Sequence, residues 1–372
     1  MRSLGMLSGN LGVAFLLVIS CGQTNLPDAD LIQYPYSPTP APPPELPYFF
    51  PEMTIPANNP QTVEGIELGR HLFYDPILSI DNTISCASCH QPEFAFSDSE
   101  ALSRGVDGQV GFRNAMSLVN VGFFQTGLFW DGRVKTLEAQ SLHPIRDPLE
   151  MGNSPEEVED RMRKHERYPQ MFRAAFGIED RSEITIDLVT KAIAQFERTI
   201  ISSEAKFDYA NWDRGVETRF FSPSELRGQK LFNLEPTDQL DKHPGCSHCH
   251  SISALGTTQE FFNNGLDPAP SLTEFPDLGV GGVTGTLYQN GTFRVPSLRN
   301  VALTAPYMHD GRFSTLEEVV DHYASGGHYA DNVDANIQPF TLSEQDQADL
   351  IAFMHTLTDT ISLQKPALQS PF

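Results

Sequence analysis

The sequence predicts a mostly helical chain built from two similar halves. Three observations predict it. Apolar residues recur at helical spacing behind recognisable caps, alternating strand patterns are few, and one short segment occurs twice. Residues 154–177 open with Ser154-Pro155-Glu156-Glu157, a capping serine followed by proline and acids in the first turn. Val158, Met162, Tyr168, Met171, Phe172 and Phe176 then keep to one face. Residues 185–201 repeat the pattern with Ile186, Val189, Ile193, Phe196 and Ile200. Ser222-Pro223-Ser224-Glu225 is a capping box, and Ser314-Thr315-Leu316-Glu317 and Ser343-Glu344-Gln345-Asp346 open two further helices. Loops rich in glycine and proline join them, notably over 267–291.

The repeated segment is LGRHLFYD at 68–75 and LRGQKLFN at 226–233. Each places a glycine, then an apolar pair ending in phenylalanine, shortly before a cysteine motif. A chain of 372 residues has room for two such units, which meet near 212–222.

The five cysteines carry the chemistry. Cys86-Ala87-Ser88-Cys89-His90 and Cys246-Ser247-His248-Cys249-His250 are two C-x-x-C-H motifs. Two thiols a short loop apart reach the two vinyl groups of one haem, and the following histidine falls beneath the iron. A zinc site would need a second knuckle of ligands, and no C-x-x-C is spare. His248 reads as a solvated neighbour within its motif. The sequence therefore predicts two covalently bound haem c groups in a mostly α chain of two cytochrome c-like haem domains joined by long loops.

Cys21 ends a short apolar run, Leu11–Ser20, too short to span a bilayer. Residues 1–20 read as a lipoprotein signal peptide, because Val18-Ile19-Ser20-Cys21-Gly22 resembles a bacterial lipobox with Cys21 as the lipidated residue. An ordinary signal peptide is the alternative, and either implies export, here to the periplasm. Residues 21–51, with Pro42-Pro43-Pro44, read as a semi-extended spacer. The first haem domain is then expected over 52–213 and the second over 214–365. The net charge of −23 argues against nucleic-acid binding and suits a basic electron-donor protein, or simply solubility.

Several long motifs resemble the bacterial dihaem cytochrome c peroxidase and MauG superfamily. They are LGRHLFYDPILS, FRNAMSLVN, LFWDGRVKTLEAQSLHPIRDPLEMG and FRVPSLRNVALTAPYMHDGRFSTLEEVVDHYASGG, in that order. The resemblance implies that the first haem is the site of peroxide chemistry. In the peroxidase branch a distal histidine precedes the R-N motif, but this chain has Val106 there, and valine cannot ligate iron. The first iron is thus expected to be five-coordinate, as in the MauG-like branch, unless His71 or His143 arrives from elsewhere. By the same resemblance Trp130 lies between the haems. Gln140 and Glu150 line the peroxide face of the first haem, and Pro144 packs nearby.

For the second haem the axial candidates are Tyr323, Met308, His309, His322 and His328, and the resemblance favours Tyr323. A phenolate stabilises ferric iron and lowers its potential, whereas methionine raises it. The resemblance also implies a calcium ion held by Asn114 and the carbonyls of Thr304 and Pro306. The expected activity is reduction of hydrogen peroxide at the first haem, with electrons from a donor such as a small cytochrome c passing through the second. The alternatives are a MauG-like oxidase acting on an oxidisable protein or small molecule, and a non-enzymatic electron carrier.

Overall fold

The computed structural model describes residues 31–212, 217–234, 244–251 and 254–372. The lipoprotein segment with Cys21 lies outside the described residues. The first half contains α1 (Val63–Tyr74), α2 (Cys86–Cys89), α3 (Leu137–Arg146), α4 (Pro155–Lys164), α5 (Tyr168–Phe176) and α6 (Ile186–Glu197). The connecting helix α7 (Lys206–Trp212) leads into the second half, which contains α8 (Glu217–Phe220), α9 (Pro223–Phe232), α10 (Cys246–Cys249), α11 (Val280–Thr284), α12 (Leu316–Ala324), α13 (Glu344–His355) and α14 (Thr360–Leu363). Two short strands, β1 (Phe261–Phe262) and β2 (Phe293–Arg294), pair antiparallel, Phe261 opposite Arg294. The mostly helical, two-unit expectation holds.

The duplication is physical. In α1, Gly69 lies so close to α6 that a Cβ would sit 1.9 Å from the Ala192 carbonyl oxygen. In α9, Gly228 meets α13 in the same way, 1.9 Å from the Asp349 carbonyl oxygen. Only glycine permits these crossings. One turn later the phenylalanines of the repeat pack alike. Phe73 and Phe196 lie 5.1 Å apart at 57°, Phe232 and Phe353 5.3 Å apart at 58°. Asn120 and Asn300 share a third position, both left-handed at φ 60°. Each side-chain amide closes the chain onto residues after the last long helix of its half. Asn120 accepts from the Ser202 amide at 2.9 Å, Asn300 from the Asp359 amide at 2.7 Å.

Three sequence expectations are corrected. The single helix over 154–177 is two, α4 and α5. Pro169 in the first turn of α5 has no N–H to continue the preceding helix, and the His165 ring accepts the Arg167 amide at the break (3.1 Å). The helix expected over 185–201 ends at Glu197, and tighter turns carry the chain on. Within the expected spacer, residues 31–41 lie against the first half. Leu31 is fully buried, its amide bonds the Glu179 carbonyl, and Arg173 donates to the Tyr34 carbonyl. The composition is that of a spacer, but Leu31 and Tyr34 supply apolar surface that gains by burial.

The halves are laced together. α7 packs its Phe207 into the second core, and Asp208 forms a fully buried ion pair with Arg299 (2.5 and 2.6 Å). The chain then returns, placing Leu363 and Leu368 in the first-half core. Arg113 of the first half grips Asp277 of the second at 2.7 and 2.8 Å. The Asn114 amide donates to the His309 carbonyl, and the Arg294 amide to the Trp130 carbonyl.

Candidate active site

Each C-x-x-C forms one short helix, α2 or α10, and the histidine that ends it is fixed from behind. His90 Nδ1 lies 3.0 Å from the Phe96 carbonyl oxygen, and His250 Nδ1 lies 3.1 Å from that of Pro296. A carbonyl only accepts, so Nδ1 carries the proton in both rings and Nε2 is left with its lone pair. Burial lowers the pKa of both histidines, that of His250 to about 4, so both rings stay neutral. A neutral imidazole with Nδ1–H tied to a carbonyl is the form that ligates iron through Nε2.

A cavity of about 960 Å³ opens above Cys86, Cys89 and His90. Its wall includes Trp130, Gln140, Pro144 and Glu150. Four residues read from the sequence thus converge on one space. Gln140 presents a buried Oε1 with no hydrogen-bond partner. Such an atom is costly unless something in the cavity donates to it. Glu150 faces the cavity. Its side chain is exposed to the open cavity, and the protein crowded around that cavity, helped by repulsion from Asp147 and opposed by Arg133, pushes its carboxyl up to about 7.

The loop that replaces the distal histidine is bound to this glutamate. The Val106 amide donates to the Glu150 carbonyl at 2.8 Å. Gly105 makes the approach possible, since a Cβ there would lie 2.4 Å from that same oxygen. Val106 itself is buried and packs on Gly152, and it is not part of the cavity wall. His71 is held on α1 by the Glu67 carbonyl at 3.0 Å and packs on Phe372. His143 stacks edge-on against Phe129. Neither lines the cavity.

The internal repeat sets the two motifs side by side. Leu128 bridges Val134 as Tyr307 bridges Phe313, and Thr136 and Thr315 cap α3 and α12 through the same contact at 3.2 Å. Eight residues past each cap stand Pro144 in α3 and Tyr323 in α12. The second half has a phenol where the first half has a ring with no donor atom. Trp130 corresponds to His309 in the same alignment. The two rings meet edge-on at 6.5 Å between the halves, and the Trp130 indole donates to the Asn114 carbonyl at 2.8 Å.

Around the second motif, Asn264 discriminates among the axial candidates. Its Nδ2 lies 3.3 Å from the Tyr323 oxygen and 3.6 Å from the Met308 sulfur. Both side chains therefore approach the same place. His322 is turned away, its Nε2 on the Asn264 carbonyl at 3.1 Å. His309 is stacked on Phe293 at 3.7 Å. The His328 amide is tied to the Gly265 carbonyl.

Residues 63–215 match the di-haem cytochrome c peroxidase family, and 226–358 match cytochrome c. The methylamine utilization protein MauG of Methylorubrum extorquens is 38% identical over 309 residues, 81% of this chain and 80% of that protein. The chain belongs to the di-haem cytochrome c peroxidase and MauG family. Cytochrome c551 peroxidase of Nitrosomonas europaea is 35% identical over 83% of this chain and 84% of its own length. The crystal structure of a MauG-like protein associated with microbial copper homeostasis superposes with a TM-score of 0.78. It is 34% identical and covers 89% of this chain and 99% of that one. This dihaem chain accordingly carries one haem c in each half.

Sequence reasoning missed an acid in the first haem site of this dihaem family member. Glu197, at the end of α6, is buried, lines the cavity, and has an unpartnered Oε2. Burial pushes its carboxyl up to about 8, against the pull of Arg198. The signal was present, since an acid directly follows Phe196 in an apolar helix.

Proposed function

We propose that this chain is a dihaem c-type peroxidase, which reduces hydrogen peroxide at the first haem with electrons entering through the second. The observation that carries it is the contrast between α3 and α12: Pro144 beside an open cavity with Glu150 and Gln140, against Tyr323 beside Met308 and Asn264. When bound, the first haem would supply the redox-active iron at which peroxide is reduced. Gln140 Oε1 accepts a hydrogen bond from the peroxide O–H and holds it over that face. Glu150 takes the proton from the inner oxygen and returns it to the departing one, a task suited to a carboxyl near neutrality. Trp130 occupies the space between the halves and offers electrons a short aromatic path to the first site.

Tyr323 would hold the iron of the second haem in this reading. The donor is a small basic cytochrome c or an oxidisable protein, drawn by the −23 charge. Calcium, if bound, rests on the Asn114 amide oxygen and the carbonyls of Thr304 and Pro306, a hard oxygen set. Among the described residues no group of three or more His, Cys, Asp or Glu gathers for a metal. Export to the periplasm and lipidation at Cys21 complete the proposal, and radiolabelled palmitate incorporation in the full chain, lost in C21S, tests the anchor. The test of function is spectroscopic and kinetic. Resting ferric protein should give one high-spin and one low-spin signal, and peroxide should oxidise reduced cytochrome c without a reductive pre-treatment. Two low-spin signals and indifference to peroxide would leave only an electron carrier.

A further inference from the structure

Four arginines line the first-haem cavity, and three of them face carboxylates. Arg113 holds Asp131 and Asp277, Arg133 holds Asp131, and Arg312 holds Asp267 and Asp310. Arg294 has no carboxylate among the described residues. It is 2% exposed, its Nη1 donates to the Gly127 carbonyl, and its Nε and Nη2 have no partner. The guanidinium lies 4.2 Å over the Phe124 ring, which packs against it and accepts no conventional hydrogen bond. An unpaired buried guanidinium is among the least tolerable groups in a protein interior.

The two unpartnered nitrogens are the informative pair. Nε and Nη2 form the side-on fork of the guanidinium. Arg113 uses this pair on Asp277 at 2.7 and 2.8 Å, and Arg227 uses it on Asp349 at 2.5 and 2.9 Å. In Arg294 the same fork is unpaired and closed over by protein, on a side chain that contributes to the wall of the cavity that contains Cys86, Cys89 and His90. None of Cys246, Cys249 and His250 is part of that wall. The haem attached at Cys86 and Cys89 brings two propionate carboxylates with it.

We propose that Arg294 is the anchor for a propionate of the first haem, gripping it side-on through Nε–H and Nη2–H. The anchor comes from the other half. Arg294 stands on β2, paired with Phe261, and its amide is bonded to the Trp130 carbonyl. The second half thus completes the first, supplying the counter-charge for its cofactor next to the aromatic bridge. The pairing needs only the haem, which the family membership supplies, and stands apart from any reaction with peroxide.

The experiment is spectroelectrochemical titration of the haem-loaded full chain and its R294Q and R294K variants, read at the high-spin and low-spin bands separately. A cation paired to a propionate favours the reduced iron and keeps the propionate ionised. R294Q should shift the high-spin couple to lower potential and make it pH-dependent on the acid side of neutrality. The low-spin couple should stay put. R294K, which keeps the charge and loses the fork, should fall between. A high-spin couple in R294Q identical to wild type at every pH, with both haems attached, overturns the proposal. Should R294Q fail to assemble, infrared spectra of wild-type protein carrying haem labelled with ¹³C at the propionates decide. A labelled carboxylate that stays ionised through the mildly acid range supports the anchor, and two propionates that both titrate as free carboxylic acids overturn it.

Discussion

Glu150 and Glu197 line the same cavity and are both displaced upward, but their roles separate by what each faces. Glu150 opens to the cavity, and its carboxyl at about 7 must be ionised to take a proton from peroxide. The rate of the first step with peroxide should therefore rise with pH through about 7. In E150Q the rate should fall by ~100-fold or more and lose that rise, as expected when a positioned acid–base group is removed. Stopped-flow mixing across pH checks both. Glu197 is closed in. Its folded value of about 8 lies above the ordinary carboxylate value of 4.5, so the folded state holds more protons than the unfolded one across that window. Stability contributed by neutral Glu197 is thus full below about 4.5 and is lost as pH rises through about 8. E197Q keeps the shape and removes the titration. Its thermal midpoint should fall less than wild type's between mildly acid and mildly alkaline pH.

At the scale of the element, α3 and α12 are two versions of one part. Capping threonines and the preceding turns, Asp131-Gly132 and Asp310-Gly311 with both glycines left-handed, are shared, and eight residues past the caps they diverge at Pro144 and Tyr323. P144Y should transplant the closed version. Pro144 sits inside α3 without an N–H, so the change restores a donor to the helix while placing a phenol at the cavity. The high-spin signal of the first haem should convert to low spin and the reaction with peroxide should be suppressed, with electron uptake by the second haem retained. A P144Y protein that stays high-spin would show that the two helices sit differently over their irons. Element boundaries were partly legible in the sequence. The serine caps at 154, 222 and 343 were read correctly because capping is a local hydrogen bond, whereas the helix read as opening at Ser314 is capped by Thr315. The break at His165–Arg167 was not, because the apolar spacing of Val158, Met162, Tyr168 and Phe172 runs on across it.

Across the whole molecule, charge and connectivity matter more than any single contact. The halves are joined by Arg113–Asp277, by the Asn114–His309 and Trp130–Arg294 backbone bonds, and by a C-terminal segment that returns to the first core. The −23 charge makes encounter with a basic donor electrostatic. Turnover with a basic cytochrome c should drop steeply between low and physiological ionic strength, while single-turnover reaction with peroxide, an uncharged molecule, should not. Steady-state and stopped-flow rates over a salt series separate the two. Salt-independent turnover would remove the acidic surface from the account of donor choice.

The amino-acid sequence by itself determined the two haem attachments and the duplicated helical unit, whereas Glu150, Gln140, Trp130 and Tyr323 were singled out only by the resemblance of their motifs to the dihaem peroxidase and MauG superfamily. Cysteine spacing, caps and repeats are written in neighbouring residues. Only the tertiary structure decided that residues 31–41 lie on the first half, that Glu197 is walled in, and that Arg294 reaches the other half's cavity with an empty fork. Those depend on which atoms lack a partner once the chain has closed, and desolvation and hydrogen-bond satisfaction are properties of the packed interior, to which residues hundreds of positions apart contribute.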